Sequence, residues 1–381
     1  MDPDIQHALQ ELAENSGEEL QVYYIQFEEL YERKLWKQLA DLVQEFYNHD
    51  ESHHMRLKLY RNFVLHFAKH INQLKLVSFG IAAAAELEDR KEALQFMEEL
   101  ASQIKRPDHN DAYVYATIEA ARLQLALGDI EGAKKATEEA GGVIDSFDSV
   151  DPLIHAAYYR VSADYHKAKA EYTPYYRQAL LYLACVKMDD LPKAEAQERA
   201  FDLSIAALLG TDIYNFGELL LHPVLQTLAG TEHAWLRDFL AALNAGDLSS
   251  FEQLLPKVAK LPLLQQSLPF LRQKICLMTL IEAVFKRPTH DRVLTFATIA
   301  SETRLPVYEV EHLLMKALAL KLIQGSIDQV DSTVSISWVQ PRVLDLRQIG
   351  DMKDRLQSWS THVQKLESSM QNETRSFIEA A

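Results

Sequence analysis

Between Leu20 and about Leu280, apolar residues recur three and four positions apart, interrupted only by short polar turns. That spacing puts one apolar stripe on each segment, so the stretch is expected to fold as helix after helix. Leu30, Leu35, Leu39, Leu42, Val43 and Phe46 form one such run, and Leu57, Tyr60, Val64 and Phe67 form another. In Tyr113 to Leu127 the stripe is Val114, Ile118, Ala121 and Leu125, while Ala116 and Ala120 let a neighbouring helix lie close.

The breaks are short and chemically explicit. Arg106-Pro107-Asp108 separates two helices. Gly128 can take the left-handed conformation that ends a helix, and Asp129 can cap the next. Gly141-Gly142 is expected to close that next helix, and Asp151-Pro152 to open another with Pro in the first turn. Leu191-Pro192, Gly210-Thr211, Gly230-Thr231 and Gly246-Asp247 repeat the device. Short turns between helices produce antiparallel pairs, and pairs stacked in series make a right-handed solenoid of the tetratricopeptide kind. The strict 34-residue consensus is absent, so the expectation rests on element lengths.

After about Pro288 the pattern changes. Leu294 to Thr303 reads as a short helix with Phe296, Ile299 and Ala300 apolar, and Leu305-Pro306 as a turn. Val307 to Leu320 reads as a second helix with a stripe of Val310, Leu313, Leu314, Ala317 and Leu318. Leu322 to Ile327 and the strict alternation Val334-Ser335-Ile336-Ser337-Trp338 then read as two strands around a turn at Asp328 to Ser332. Helix, turn, helix and ribbon make a winged helix. The expected fold is thus mainly α: a helical-repeat solenoid, a winged helix and a C-terminal heptad helix. The boundaries implied are helical repeats over 1–170 and 171–287, the winged helix over 288–346 and the last helix over 347–381.

In that last helix Ile349, Met352, Leu356, Trp359, Val363, Leu366, Met370 and Phe377 follow a 3-4 spacing broken only by Glu373. This is the a/d seam of a coiled coil. Such a stripe needs cover, either by folding back on the solenoid or by joining helices of a partner. The ribbon residues Val334, Ile336 and Trp338 are a second candidate interface, since a short sheet can extend across a subunit boundary by edge pairing.

Composition narrows the chemistry. Lys and Arg number 39 against 55 Asp and Glu, for a net charge of −16, and the first 60 residues hold 13 acidic and 5 basic side chains. A negative surface repels phosphates, which argues against general binding to nucleic acid or anionic membranes. The helix that would read DNA presents Glu309, Glu311, His312 and Lys316; Arg342 and Arg347 follow the ribbon but lie outside it. Two cysteines, Cys185 and Cys276, make neither a disulfide framework nor a four-cysteine zinc site, and both read as small core residues. Met1-Asp2-Pro3-Asp4 does not look like a signal peptide, and no apolar run is long enough to span a membrane.

No catalytic constellation stands out: there is no His-Glu-x-x-His, Gly-x-Ser-x-Gly or Gly-x-x-x-x-Gly-Lys. His66 and His70, four apart, could share a helical face, but no third ligand follows; adjacent His53 and His54 point apart. Asp189-Asp190 and Glu98-Glu99 read as solvated helix ends. No catalytic, cofactor or metal site is expected, and an enzyme working in the solenoid groove is the outlying alternative.

A helical solenoid running into an acidic winged helix resembles the PCI domain family, shared by the proteasome lid, the signalosome and a translation initiation factor. Tyr31-Glu32-Arg33-Lys34-Leu35-Trp36, Tyr214-Asn215-Phe216-Gly217-Glu218-Leu219-Leu220 and His222-Pro223-Val224-Leu225 are similar to PCI subunits of the proteasome lid. So are Lys321-Leu322-Ile323-Gln324-Gly325-Ser326-Ile327-Asp328 and Trp338-Val339-Gln340-Pro341-Arg342-Val343-Leu344-Asp345-Leu346. The resemblance implies a non-catalytic scaffold of the 19S regulatory particle, serving lid assembly and ubiquitin-dependent degradation. A PCI subunit of the signalosome or initiation factor is the alternative. It further implies other PCI-type lid subunits as partners of the winged helix and a bundle with the metalloprotease-fold subunits around the last helix. No cofactor, nucleic acid or membrane is implied, and the location would be cytoplasm and nucleus.

Overall fold

The computed structural model describes residues 3–14, 16–105, 110–147, 151–287, 292–342 and 346–379. The chain divides into two compact units, Met1–Pro192 and Lys193–Ala381.

The first unit is all helical. It comprises α1 (Pro3–Glu14), α2 (Glu18–Glu32), α3 (Trp36–Asn48), α4 (Arg56–Leu59), α5 (Leu65–Phe67) and α6 (Gln73–Ala84). It continues with α7 (Arg90–Ile104), α8 (Asn110–Leu127), α9 (Ile130–Ile144), α10 (Pro152–Ala168) and α11 (Tyr172–Cys185). From α6 onward consecutive helices pack together, and α8 also touches α6 and α10. Contact with both the next helix and the next but one is the pattern of stacked helix pairs. The 170/171 boundary expected from sequence would fall between α10 and α11, which pack against each other.

An aromatic core holds the start of this unit. Phe27 lies 5.8 Å from Phe46 and 5.6 Å from Phe63, ring centre to ring centre, and all three are buried. Helix α1, which the sequence did not distinguish, buries Leu9 and Leu12. The expected helix through Leu57 and Phe67 is a composite: α4, a π turn over Tyr60–Val64, α5 and a 3-10 turn over Ala68–His70. The wider π turn keeps Tyr60, Phe63, Val64 and Phe67 all in the core.

Most of the caps follow the residues that signalled them. Gly128 has φ +86°, and the Asp129 carboxylate accepts from the Gly132 N–H. Asp151 accepts from the Leu153 N–H, with Pro152 in the first turn of α10. The exception is Gly141-Gly142, which does not end α9: the helix runs on to Ile144. Gly141 instead leaves room for a neighbour, since a Cβ there would meet Tyr158 Oη at 2.8 Å. The Arg106-Pro107-Asp108 break lies outside the described residues.

The second unit begins with α12 (Lys193–Leu209), α13 (Gly217–Leu221), α14 (Trp235–Ala245), α15 (Leu248–Val258), α16 (Pro262–Gln266) and α17 (Leu268–Phe285). Every residue from Leu203 to Leu209 is buried, so α12 is enclosed on all sides at its C-terminal end. The winged helix follows: β1 (Val293–Thr295), α18 (Phe296–Thr303), α19 (Val307–Ala319), β2 (Ile323–Asp328) and β3 (Thr333–Val339). Its sheet has order β1-β3-β2, both pairings antiparallel. Strand β1 was read as the start of a helix; Leu294 sits instead opposite Val334. Gly325 marks a bulge, where a Cβ would come 2.1 Å from the Ser335 carbonyl. Helix α17 packs on α12, α14 and α15 and also on α18, α19 and β3. It is the shared wall of the helical repeats and the winged helix. The chain then enters α20 (Leu346–Glu379), a helix of 34 residues.

Candidate partner-docking surfaces

The strongest candidate surface is α20. Ile349, Met352, Leu356, Trp359, Val363, Leu366 and Met370 all face solvent, from 45 % exposed at Val363 to 67 % at Trp359. Other described side chains of the helix are exposed too, Gly350 being half-buried. The structure therefore does not fold this stripe back onto the chain. The Phe377 side chain lies outside the described residues.

The ribbon candidates separate. Val334 and Ile336 are buried, at 0 % and 3 %, and share the winged-helix core with Leu294, Ile299 and Leu314. Trp338, across from Gln324, keeps 38 % of its surface exposed. β3 lies between β1 and β2: β2 pairs with it from Thr333 to Val339, whereas β1 pairs with it only over Thr333–Ser335, so the Ser337–Val339 end of β3 has a strand on one side alone. Edge pairing with a neighbour can use β1, β2 or the Trp338 end of β3. The alternation in sequence identified an inward and an outward face but not the central position of β3.

The outer face of α19 carries Val307, Tyr308, Glu309, His312 and Met315, all exposed. Glu311 accepts a hydrogen bond from Gln329 Nε2 at 3.2 Å, and the Lys316 ammonium donates to Gln273. Readers of duplex DNA present Arg, Lys, Asn or Gln to base edges and phosphates. This face presents carboxylates and apolar groups instead.

Arg342 is committed to the fold. Its guanidinium donates to Glu282 at 2.6 Å and to Asn244 Oδ1 at 2.9 Å, and also bonds the Asn244 carbonyl. Burial pushes its pKa down and Glu282 opposes that shift. The contact ties the segment after β3 to the end of α14 and to α17, fixing where the chain leaves toward α20.

One buried cation was missed in sequence. The Lys274 ammonium donates to the carbonyls of Ala207, Leu208 and Gly210 at 2.8, 3.1 and 2.8 Å, closing the C-terminal end of α12. It also lies over the rings of Tyr214, Phe216 and Phe270 at 5.2–5.5 Å. Helix C-termini and aromatic faces both favour positive charge. Burial pushes this lysine down to about 7, with Asp212 acting against the shift. A signal was present: Lys274 stands three residues after Leu271 and four before Met278, on the apolar stripe of α17.

Burial pushes the Cys185 and Cys276 thiols up, Glu309 adding to the shift at Cys276, and a nucleophile needs the opposite. His70 stacks on Trp36 with ring centres 4.9 Å apart, and the change to a 3-10 turn removes the shared face expected for His66 and His70. Among the described residues no three His, Cys, Asp or Glu are grouped to hold a metal ion, and no helix is long and apolar enough to cross a membrane.

Helical repeats, a winged helix sharing a wall with them, and a projecting heptad helix define a PCI-domain protein, and the PCI domain itself matches residues 252–338. The PSD13 N-terminal repeats match residues 23–240 and the Rpn9 C-terminal helix matches residues 342–374. The chain is 48 % identical over 358 residues to the probable 26S proteasome regulatory subunit rpn9 of Schizosaccharomyces pombe, covering 94 % of this chain and 93 % of that one. It is 39 % identical to the 26S proteasome regulatory subunit RPN9 of Saccharomyces cerevisiae, over 97 % of each. A eukaryotic translation initiation factor 3 subunit M, from Aspergillus terreus, is 26 % identical over only 51 % of this chain. The chain belongs to the Rpn9/PSD13 family of 26S proteasome regulatory subunits.

Proposed function

We propose that this chain is a non-catalytic scaffold subunit of the proteasome lid in the 19S regulatory particle, where it supports lid assembly and thereby ubiquitin-dependent protein degradation. The winged helix docks other PCI-type lid subunits, and α20 enters a helical bundle that includes the metalloprotease-fold subunits. Cytoplasm and nucleus are the compartments this role requires. The observation that carries the reading is the exposed seam of α20 in a member of this family. At about 25 cal/mol per Å² of apolar surface removed from water, covering a Trp and its Leu, Ile and Met neighbours contributes several kcal/mol. Ordering the helix in the bundle offsets part of this. Trp359, large and central, is the anchor.

The test is the double variant Trp359→Asp/Leu366→Asp. Circular dichroism should show an intact fold, because neither side chain supports the body of the chain. Native gels should show it excluded from the lid. Normal incorporation of a folded double variant overturns the assignment of α20.

A further inference from the structure

The seam of α20 also has a register suited to a second copy of itself. Ile349, Leu356, Val363 and Met370 occupy the a positions and Met352, Trp359 and Leu366 the d positions. In an antiparallel pair each a residue faces a d residue of the other helix. A single offset then sets Met352 against the second copy's Met370, Leu356 against its Leu366 and Trp359 against its Val363. By symmetry each layer occurs twice, so every central layer is apolar. The largest side chain meets the smallest in the seam. A parallel pair instead puts Trp359 on Trp359 and Val363 on Val363, crowding one layer and underfilling the next.

The flanks agree with the core. Lys353 and Glu367 lie at the e positions and are exposed. In the antiparallel offset Lys353 falls beside the second copy's Glu367 at both ends of the seam, and flanking charges of this kind set partner and direction. The helix is 34 residues, about 50 Å at roughly 1.5 Å per residue. Antiparallel pairing therefore also keeps the two winged helices at opposite ends of the seam.

We propose that, outside its assembly, this chain pairs with a second copy through α20 as an antiparallel coiled coil. Partner helices of the assembly then compete for the same seam. The pairing rests on exposure and register, and the competition with partner helices rests on the proposed function.

Sedimentation velocity on the full chain at about 50 μM, above the micromolar range of a weak complex, should give a species of twice the 43.5 kDa chain mass. Trp359→Asp should be monomeric. Lys353→Glu and Glu367→Lys should each weaken the dimer by roughly three- to tenfold, the scale of exposed ion pairs, and the double swap should restore it. Under mild oxidation, a Lys353→Cys chain mixed with a Glu367→Cys chain should cross-link between the two, beyond the background from the unsubstituted chain. A monomeric wild type, a double swap that restores nothing, or cross-linking no greater than background overturns the pairing. A wild-type chain that stays monomeric yet enters the lid overturns the pairing alone and leaves the proposed function standing.

Discussion

Strand β3 and helix α20 both carry apolar residues at faultless spacing, yet they end in opposite circumstances. Val334 and Ile336 of β3 are buried within this chain's own second unit, where β3 packs on α17 and its two partner strands, whereas the seam of α20 is left in solvent. Periodicity shows which face of an element seeks cover. It does not say who provides the cover. Cover from within came where other apolar elements of the same unit were close in sequence. Helix α20 begins after Arg342 has anchored the chain, and none of its described seam residues reaches back to the body.

The sharpest way to break this comparison is to remove the same atoms from each side of it. Leu314→Ala, in the winged-helix core, should cost about 2–5 kcal/mol of stability in urea denaturation. Leu356→Ala, in α20, should change the stability of the monomeric chain by no more than about 0.5 kcal/mol. Equal losses would mean that the seam is covered after all. A smaller effect is expected from Lys274→Met, which leaves the end carbonyls of α12 without their donor and should cost roughly 2–4 kcal/mol. Its pH dependence gives a second reading. The unfolded lysine titrates at about 10.4 and the folded one at about 7. Between those values the unfolded chain holds more protons, so stability rises with pH, and Lys274→Met should remove that part of the rise. A smaller loss than at Leu314 or Lys274 belongs to Asp247, which caps α15 through the Ser249 and Ser250 N–H groups. The Ser250 hydroxyl, then those N–H groups and Arg304, hold its carboxyl below the usual range. Asp247→Ala should cost about 1 kcal/mol. That difference is present above about pH 4 and fades as acid protonates the folded carboxylate.

The helices and their stops were legible because each depends on residues close in sequence. Gly246, at φ +66°, and Asp247 are neighbours that end one helix and start the next. What the sequence hid was set by distant residues. Gly141-Gly142 carried a stop signal that the packing of Tyr158 overrode. Strand β1 is only three residues long and becomes a strand because β3 pairs with it. The site of Lys274 joins positions more than 60 residues apart, so its place on the apolar stripe of α17 signals burial but not the carbonyls it meets. The spacing of the α20 seam from Ile349 to Met370 was legible because a heptad is local, whereas the split between Val334, Ile336 and Trp338 required the sheet order.

That sheet order has a consequence for biosynthesis. The middle strand of the wing, β3, is made after both of its partners, so β1 and β2 leave the ribosome with nothing to pair with. The wing closes only when β3 arrives. At about 5–20 residues per second, the ribosome then needs roughly 2–7 s to add the 34 residues of α20. The apolar stripe of α20 is thus made after every strand and helix of the wing.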